Sequence, residues 1–570
     1  MKSLTLSEII PALEADLPNL LDWQSINPQD PQCGVPMNPQ WGTDDPGAGW
    51  AAPLISGCGM LYLHAAENKT ATPGPLSPET LLAHAAGAVE YLLRYQRPSG
   101  FIDLKNFLPD SAADTAFVLQ PLCMLIELGR PLAQIDPAWA AFLRRLELFV
   151  HKAATGMLTG GFGTPNHRWV VCSALAQAGA LFPDIPVQPV IDSILAEGID
   201  MDAEGFYMER SVSVYDPVSN RSLLLLADFY PAATSAARAA AQKNLHLDLH
   251  LLHADATAET TLSHRQDHGT REVPLMQGAC YLHSSLVEPN PVFTAAAELL
   301  WSKAKRHPTG YAVWFYYLLK KFGPPPRQAA KLPDDYSLYL PDNGLWRIRR
   351  GPLSASVVRG STALLALVYG QAELAAIKMC QTYYGTGRFR ADAMSVEGNR
   401  ALLRFEGTYR PHRPGAFMPL GRPIPHDLHH FWHETAAQRQ MRQQPYCTST
   451  LEITEVPGGF DLHYKTLDGL DRVCAEVTFD FAPGGVWETQ DTACQPRAGD
   501  ELFLRQGMGR MIYGADVIEI GPGAAAHRMW QMRDSELAPQ HVRITIALVT
   551  PVDQVLTIRT YRGVNRPPRS

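Results

Sequence analysis

GPPPRQAAKLPDD, residues 323–335, is where the chain changes character. Its four prolines remove backbone donors and push the residues before them into extended conformations, so neither a helix nor a central strand can run through it. On the N-terminal side, apolar residues recur at helical spacing. SPETLLAHAAGAVEYLLRYQ (77–96) starts with a capping serine and Pro78, then carries Leu, Ala, Val and Tyr on one face. DPAWAAFLRRLELFVHKAATG (136–156) and GYAVWFYYLLKKFG (310–323) follow the same grammar. More apolar helices alternate with more amphipathic ones, the pattern expected of stacked helical hairpins with buried inner and half-exposed outer members. On the C-terminal side the period shortens to two: NGLWRIRRG (343–351), LEITEVPGGFDLHYKTL (451–467), RVCAEVTFDFAPGGVW (472–487) and HVRITIALVTPVDQVLTIRTYRG (541–563) alternate like strands and are cut by PGG turns. The expected architecture is an α+β chain: a helical (α/α) toroid over residues 1–325, then an antiparallel β-sandwich over 335–570.

Bulk properties narrow the function. A chain of 570 residues exceeds one ordinary core. With 46% hydrophobic and 19% charged residues it has the composition of a globular protein. A net charge of −8 gives no basic footprint for nucleic acid or an anionic membrane surface, so neither is expected as a partner. Nine cysteines without a CxxC pair suggest neither a disulfide framework nor a zinc knuckle. Glu8, Glu14 and Asp16 fall where a secretory signal would be apolar, and AAPLISGCGMLYLHAA (51–66) is too short and glycine-rich for a membrane span. The expectation is a soluble, cytoplasmic protein.

Three stretches carry chemistry. In GTPNHRWVVCSALAQAGALF (163–182), Thr164 and Pro165 read as a helix start, and Asn166 and His167 stand at the mouth of a helix that is apolar almost all round. EGFYMERSVSVYDPVSNRSL (204–223) offers Tyr207, Glu209, Arg210, Tyr215 and Asp216. TLSHRQDHGT (261–270) gathers His264, Arg265, Gln266 and Asp267 between helices. Such a set suits β-elimination from a uronic acid. Asn or Arg, with a helix N-terminus, neutralises the carboxylate and stabilises the enolate-like intermediate, while His or Tyr moves the C5 proton and protonates the leaving oxygen. No cofactor is required. Each residue also has a structural reading: Asn166 as a cap, His167 as a satisfied interior histidine, Glu209 with Arg210 as an ion pair, and 261–270 as a loop braced by its own hydrogen bonds.

A toroid before a sandwich, an Asn-His pair opening an inner helix and a tyrosine 48 residues beyond the histidine resemble the heparinase II/III-like and oligoalginate lyase group of polysaccharide lyases. The resemblance implies a carbon–oxygen lyase that acts on a uronic-acid oligosaccharide and leaves a 4,5-unsaturated uronate, in exo fashion. It implies Asn166 on the substrate carboxylate, His167 as base or charge neutraliser, and Tyr215 as general acid or base, with Tyr207 competing for that role. Arg265, Arg210, Tyr207, His264 and Gln266 are the expected substrate-binding residues. The group often pairs into homodimers and often holds zinc in its β-domain. His429 and His433, four residues apart, with His412 and His463 are the candidates for such a structural zinc. Two rival readings stand beside this one. A toroid glycoside hydrolase would need paired carboxylates from Glu209, Asp216, Asp114 and Asp267. A carbohydrate-binding protein would need no turnover.

Overall fold

The computed structural model describes residues 4–563 except 28, 31–32, 37–47, 70–75, 105–107, 327, 384–386, 408–414 and 425–434. The chain divides into two compact units, Met1–Leu252 with Ala256–Leu332, and His253–Asp255 with Pro333–Ser570. The short segment 253–255, which groups with the second unit, has no signature in the sequence.

Twelve helices are described in the first unit: α1 (Leu6–Trp23), α2 (Ala51–Asn68), α3 (Pro78–Tyr95), α4 (Ala112–Gly129), α5 (Pro137–Met157), α6 (Pro165–Leu181), α7 (Gln188–Leu195), α8 (Tyr215–Phe229), α9 (Thr234–Leu251), α10 (Leu275–Val287), α11 (Pro291–Lys303) and α12 (Thr309–Phe322). Helices α2, α4, α6, α8, α10 and α12 each pack on the next, and α12 closes back on α2. The other six lie against this ring: α1 on α12, α3 on α2, α5 on α4, α7 on α6, α9 on α8 and α11 on α10. This is the (α/α) toroid. Hydrophobic patterning decides which helix goes where. Helix α4, AADTAFVLQPLCMLIELG, is buried on nearly every side, whereas α3 buries only Leu81, Ala85, Ala88, Val89, Tyr91 and Leu92. Helix α4 has the length and apolarity of a membrane span, yet it is an interior helix of the ring. Glycine permits a close approach of α2 to α4: a Cβ on Gly59 would lie 2.6 Å from Leu125.

Helix starts follow side-chain chemistry. Ser77 accepts from Thr80 N–H at 3.2 Å, and Asp136 accepts from both Ala138 and Trp139 N–H at 3.0 Å. Unforeseen in the sequence, a small hairpin of β1 (Ile102–Leu104) and β2 (Leu108–Ser111) precedes α4.

The second unit holds two large sheets of described strands and a small antiparallel pair, Gly415–Phe417 with Met441–Gln443. The first has eight, in spatial order 501–503, 542–549, 474–481, 372–381, 365–369, 353–358, 345–350 and 335–340. The second has nine, in the order 493–494, 486–488, 509–513, 516–521, 553–562, 459–466, 449–456, 400–405 and 393–397. Their inner faces share one core: Ile348, Leu367, Ile377, Phe479 and Ile544 from one sheet and Leu403, Ile453, Leu462, Ile518 and Ile558 from the other. That is the expected sandwich. It departs from pure antiparallel pairing at one edge, where Glu501–Phe503 runs parallel to Val542–Val549.

Candidate functional site

Helix α6 begins as the sequence suggests, but its cap is different. Thr164 occupies the N-cap position without bonding the backbone of the first turn. Its hydroxyl accepts instead from Asn166 Nδ2 at 3.0 Å. The second N–H of that amide goes to Glu209 Oε2 at 2.7 Å, 43 residues along the chain. The amide oxygen, Asn166 Oδ1, is buried without a partner among the described residues. A buried acceptor left unpaired is unfavourable unless a ligand completes it.

His167 follows on the same turn. Its Nδ1 accepts from Gly163 N–H at 3.4 Å, and its ring meets the edge of Phe117 with centroids 5.9 Å apart. Burial pulls its pKa below the ordinary histidine value, and the Arg265 charge adds to this against the opposing effect of Asp114. The imidazole is neutral at neutral pH. With Nδ1 accepting, the proton of the neutral ring sits on Nε2.

Glu209 joins the three stretches. Beyond Asn166, its Oε1 meets Arg265 Nη1 at 2.7 Å, and its backbone oxygen accepts from His264 N–H at 3.1 Å. Burial raises the Glu209 pKa, partly offset by the Asn166 hydrogen bond and the Arg265 charge. The loop turns sharply here. Arg210 has φ of 52°, a left-handed conformation that a residue with a Cβ adopts only at some expense. Arg265 also lies over the Tyr215 ring, 4.2 Å from its centroid. Gln266 Nε2 donates to Tyr215 Oη at 2.7 Å. Tyr215 is the first residue of α8, so two inner-helix N-termini, α6 and α8, contribute to the site.

The other expected residues fall elsewhere. Tyr207 is not offered to a ligand. It is 2% exposed, and its hydroxyl donates to Asn220 Oδ1 at 2.8 Å. Burial, first of all, lifts its pKa well above the ordinary phenol value. Sequence spacing alone does not separate Tyr207 from Tyr215; enclosure does. Asp216, a hydrolase candidate, is fully buried. It belongs to an interior polar cluster with Asp248, Asn220, Asn244 and Gln277, in which Asn220 donates to Asn244 at 2.6 Å and Gln277 donates to Asp248. Burial, first of all, raises both carboxyl pKa values; the Asp267 and Glu209 charges add to this for Asp216, and the Asp216 charge for Asp248. Asp267 accepts from the Ser213 hydroxyl at 2.8 Å and from Ser263, and Asp114 accepts from Ser111. Arg210 makes no side-chain bond among the described residues, and His264 is exposed with its pKa lowered by burial and by the Arg210 charge.

Of the zinc candidates, His463 is bonded to Asp553 at 2.6 Å. His412, His429 and His433 lie outside the described residues. No group of three or more His, Cys, Asp or Glu side chains able to hold a metal occurs among the described residues.

No family model and no curated protein matches the sequence. Solved structures do. The fold is similar to that of heparinase III, with a TM-score of 0.57 at 10% identity, over 99% of this chain and 86% of that one. The Streptomyces coelicolor chondroitin AC lyase in complex with chondroitin sulphate gives a TM-score of 0.49 at 12% identity, over 98% and 79% of the two chains. Heparan sulfate lyase HepC from Pedobacter heparinus gives 0.47 at 12%, over 90% and 76%. By its likeness to heparinase III the chain has a heparinase-like fold, a helical toroid followed by a β-domain.

Proposed function

We propose that this protein is a polysaccharide or oligosaccharide lyase that cleaves a uronic-acid-containing glycan by β-elimination. The observation that carries the proposal is the linkage of Asn166, Glu209, Arg265 and Tyr215 at the mouths of α6 and α8, with His167 beside them. The shared fold with heparinase III supports it.

The substrate carboxylate sits at the two helix N-termini, where backbone dipoles favour negative charge. The Arg265 guanidinium neutralises it, and His167 Nε2–H donates a hydrogen bond to it. This acidifies C5–H, because the carbanion formed there delocalises into a carboxyl group whose charge is already compensated. Asn166 Oδ1, without a partner among the described residues, can accept from a substrate hydroxyl. Glu209 does not touch substrate; it holds Asn166 and Arg265 in place. Tyr215, acting as phenolate, takes the C5 proton. The electron pair forms C4=C5, the C4–O bond breaks, and Tyr215 returns the proton to the leaving oxygen. One proton moves from carbon to oxygen, and no water is consumed. An exo mode of action and a homodimer are part of the same proposal, through the resemblance.

The hydrolase alternative needs two carboxylates across the scissile bond. Each of its four candidates is bonded to a neighbouring side chain or enclosed in the interior. A screen of the purified chain on uronate oligosaccharides, read by ultraviolet absorbance of the conjugated product, tests the proposal. Absorbance that Tyr215→Phe abolishes is the expected result. New reducing ends without absorbance would overturn it.

A further inference from the structure

A cavity of about 190 Å³ opens within the helical unit, lined by Ile102, Asp114, Phe117, Arg221 and Trp314 among others. Arg221, on α8 six residues after Tyr215 and so about 9 Å along the helix axis, is its cation. The guanidinium carbon lies 4.8 Å from the Trp314 ring centroid and 5.5 Å from that of Phe117. Its Nε is buried with no hydrogen-bond partner, and the side chain makes no hydrogen bond or ion pair among the described residues. Two other enclosed arginines of this chain are paired with carboxylates: Arg168 with Glu197 and Asp200, and Arg543 with Asp480. Burial without an anion pushes the Arg221 pKa down to about 10. The two cavity carboxylates already have donors of their own. Asp103 is held by Arg97, and Asp114 by the Ser111 hydroxyl. Stacking on two rings attracts the cation but leaves its planar fork of N–H donors unused, and that fork matches an oxyanion bidentately. The cavity adjoins the site described above, because Phe117 touches Arg221 on one side and His167 on another.

We propose that this cavity is a second anion-accepting subsite, in which Arg221 receives the carboxylate or sulfate of a sugar ring packed against Trp314. The proposal rests on the reading of the chain as a protein of acidic saccharides. It deepens that reading: the glycan carries a second acidic group besides the uronate that is cleaved. Asp114 then faces the hydroxyls of the same ring.

Phenylglyoxal labelling of arginines in the full-length protein, mapped by peptide mass spectrometry, tests this without requiring turnover. Labelling is run in glucuronate, in glucose 6-sulfate and in glucose, with exposed Arg528 as internal reference. Arg221 is expected to react, and to react about tenfold more slowly in saturating acidic sugar than in glucose, while Arg528 is unaffected. Protection by glucuronate alone identifies a carboxylate subsite, by glucose 6-sulfate alone a sulfate subsite, and by both a general oxyanion subsite. Equal labelling of Arg221 in all three sugars overturns the proposal. So does absence of labelling, which would mean that the cavity is closed to solutes. Arg265 reports separately on the uronate site in the same maps: Arg221 protected with Arg265 unprotected would count against the proposed function while leaving the subsite standing.

Discussion

Two polar clusters within the helical unit use similar residue types to opposite ends. The first lies at the mouths of α6 and α8, where Asn166, Glu209, Arg265, Tyr215 and Gln266 meet. The second, with Tyr207, Asp216, Asn220, Asn244, Asp248 and Gln277, is enclosed by the ring. In the first, the carboxylate is matched by a guanidinium, and the phenol is only partly buried. In the second, two carboxyls influence each other without a cation, and both are pushed toward the neutral form. Charge compensation at an accessible place permits chemistry, whereas neutral hydrogen bonding in an enclosed place fixes geometry. The contrast between Tyr215 and Tyr207, eight positions apart, is the sharpest form of that lesson.

The largest expected effects break the comparison at its open side. Tyr215→Phe removes the proton carrier and is expected to lower kcat by roughly 10²–10⁴-fold with little change in thermal stability. Steady-state assays and melting curves read the two separately, and a fall in stability without loss of turnover would reverse the assignment. Arg265→Met takes the cation from both Glu209 and the substrate carboxylate. A loss of about 10²-fold in kcat/KM is expected, and Arg265→Lys should restore only part of it, because the bidentate fork is gone.

pH sharpens the comparison. His167 has its folded pKa depressed below 6.5, so its neutral form is kept through neutral pH. The acid limb of kcat/KM is expected below that value, and His167→Gln should remove the limb. Stability linked to His167 has the same sign: it is present above 6.5 and lost as pH falls below it, because the unfolded chain takes up the proton first. The interior cluster has the opposite sign. Asp216 is raised from 3.8, so the folded state holds the proton more tightly, and stability is lost as pH rises from about 4 through the folded value. Asp216→Asn is expected to flatten the fall in Tm between mildly acid and alkaline buffer. An unchanged slope would mean that another group carries it. The smallest effect is expected for Tyr207→Phe, which leaves Asn220 Oδ1 without its donor. It should destabilise by roughly 1–3 kcal/mol by denaturant titration, with kcat unchanged in what remains folded.

Much of the fold was legible in the sequence. The period of apolar residues distinguishes α4 from α3, and the proline-rich stretch at 323–335 marks the change from helix to strand. The strand pair Ile102–Leu104 and Leu108–Ser111 has no sequence signal because its strands are three and four residues long, too short to show a period. The parallel edge strand at 501–503, three residues long, is equally silent in the sequence. Within the site, Asn166, His167, Tyr215, Arg265 and Gln266 fell in stretches that stand out by polarity beside apolar helices. In the sequence Glu209 pairs most simply with its neighbour Arg210, since adjacent opposite charges are the nearest local match. Its actual partners are 43 residues before it and 56 after it. Trp314 reads as a core residue and is one, at 5% exposure; its contact with Arg221 has no sequence signal.

By itself, then, the sequence determined what is local: helix periods, caps at Ser77 and Asp136, turns, the two-part architecture, and which polar residues stand beside buried helices. Each depends on neighbours within a few positions, where backbone geometry fixes who can meet whom. The tertiary structure alone decided which tyrosine is enclosed, that Thr164 serves Asn166 rather than the helix backbone, that Glu209 gathers Asn166 and Arg265, and that Arg221 is left between two rings without an anion. These depend on the six-helix ring closing. Closure sets burial and pairing between residues far apart in the chain, and burial and pairing together decide whether a polar side chain holds the fold or remains available for chemistry.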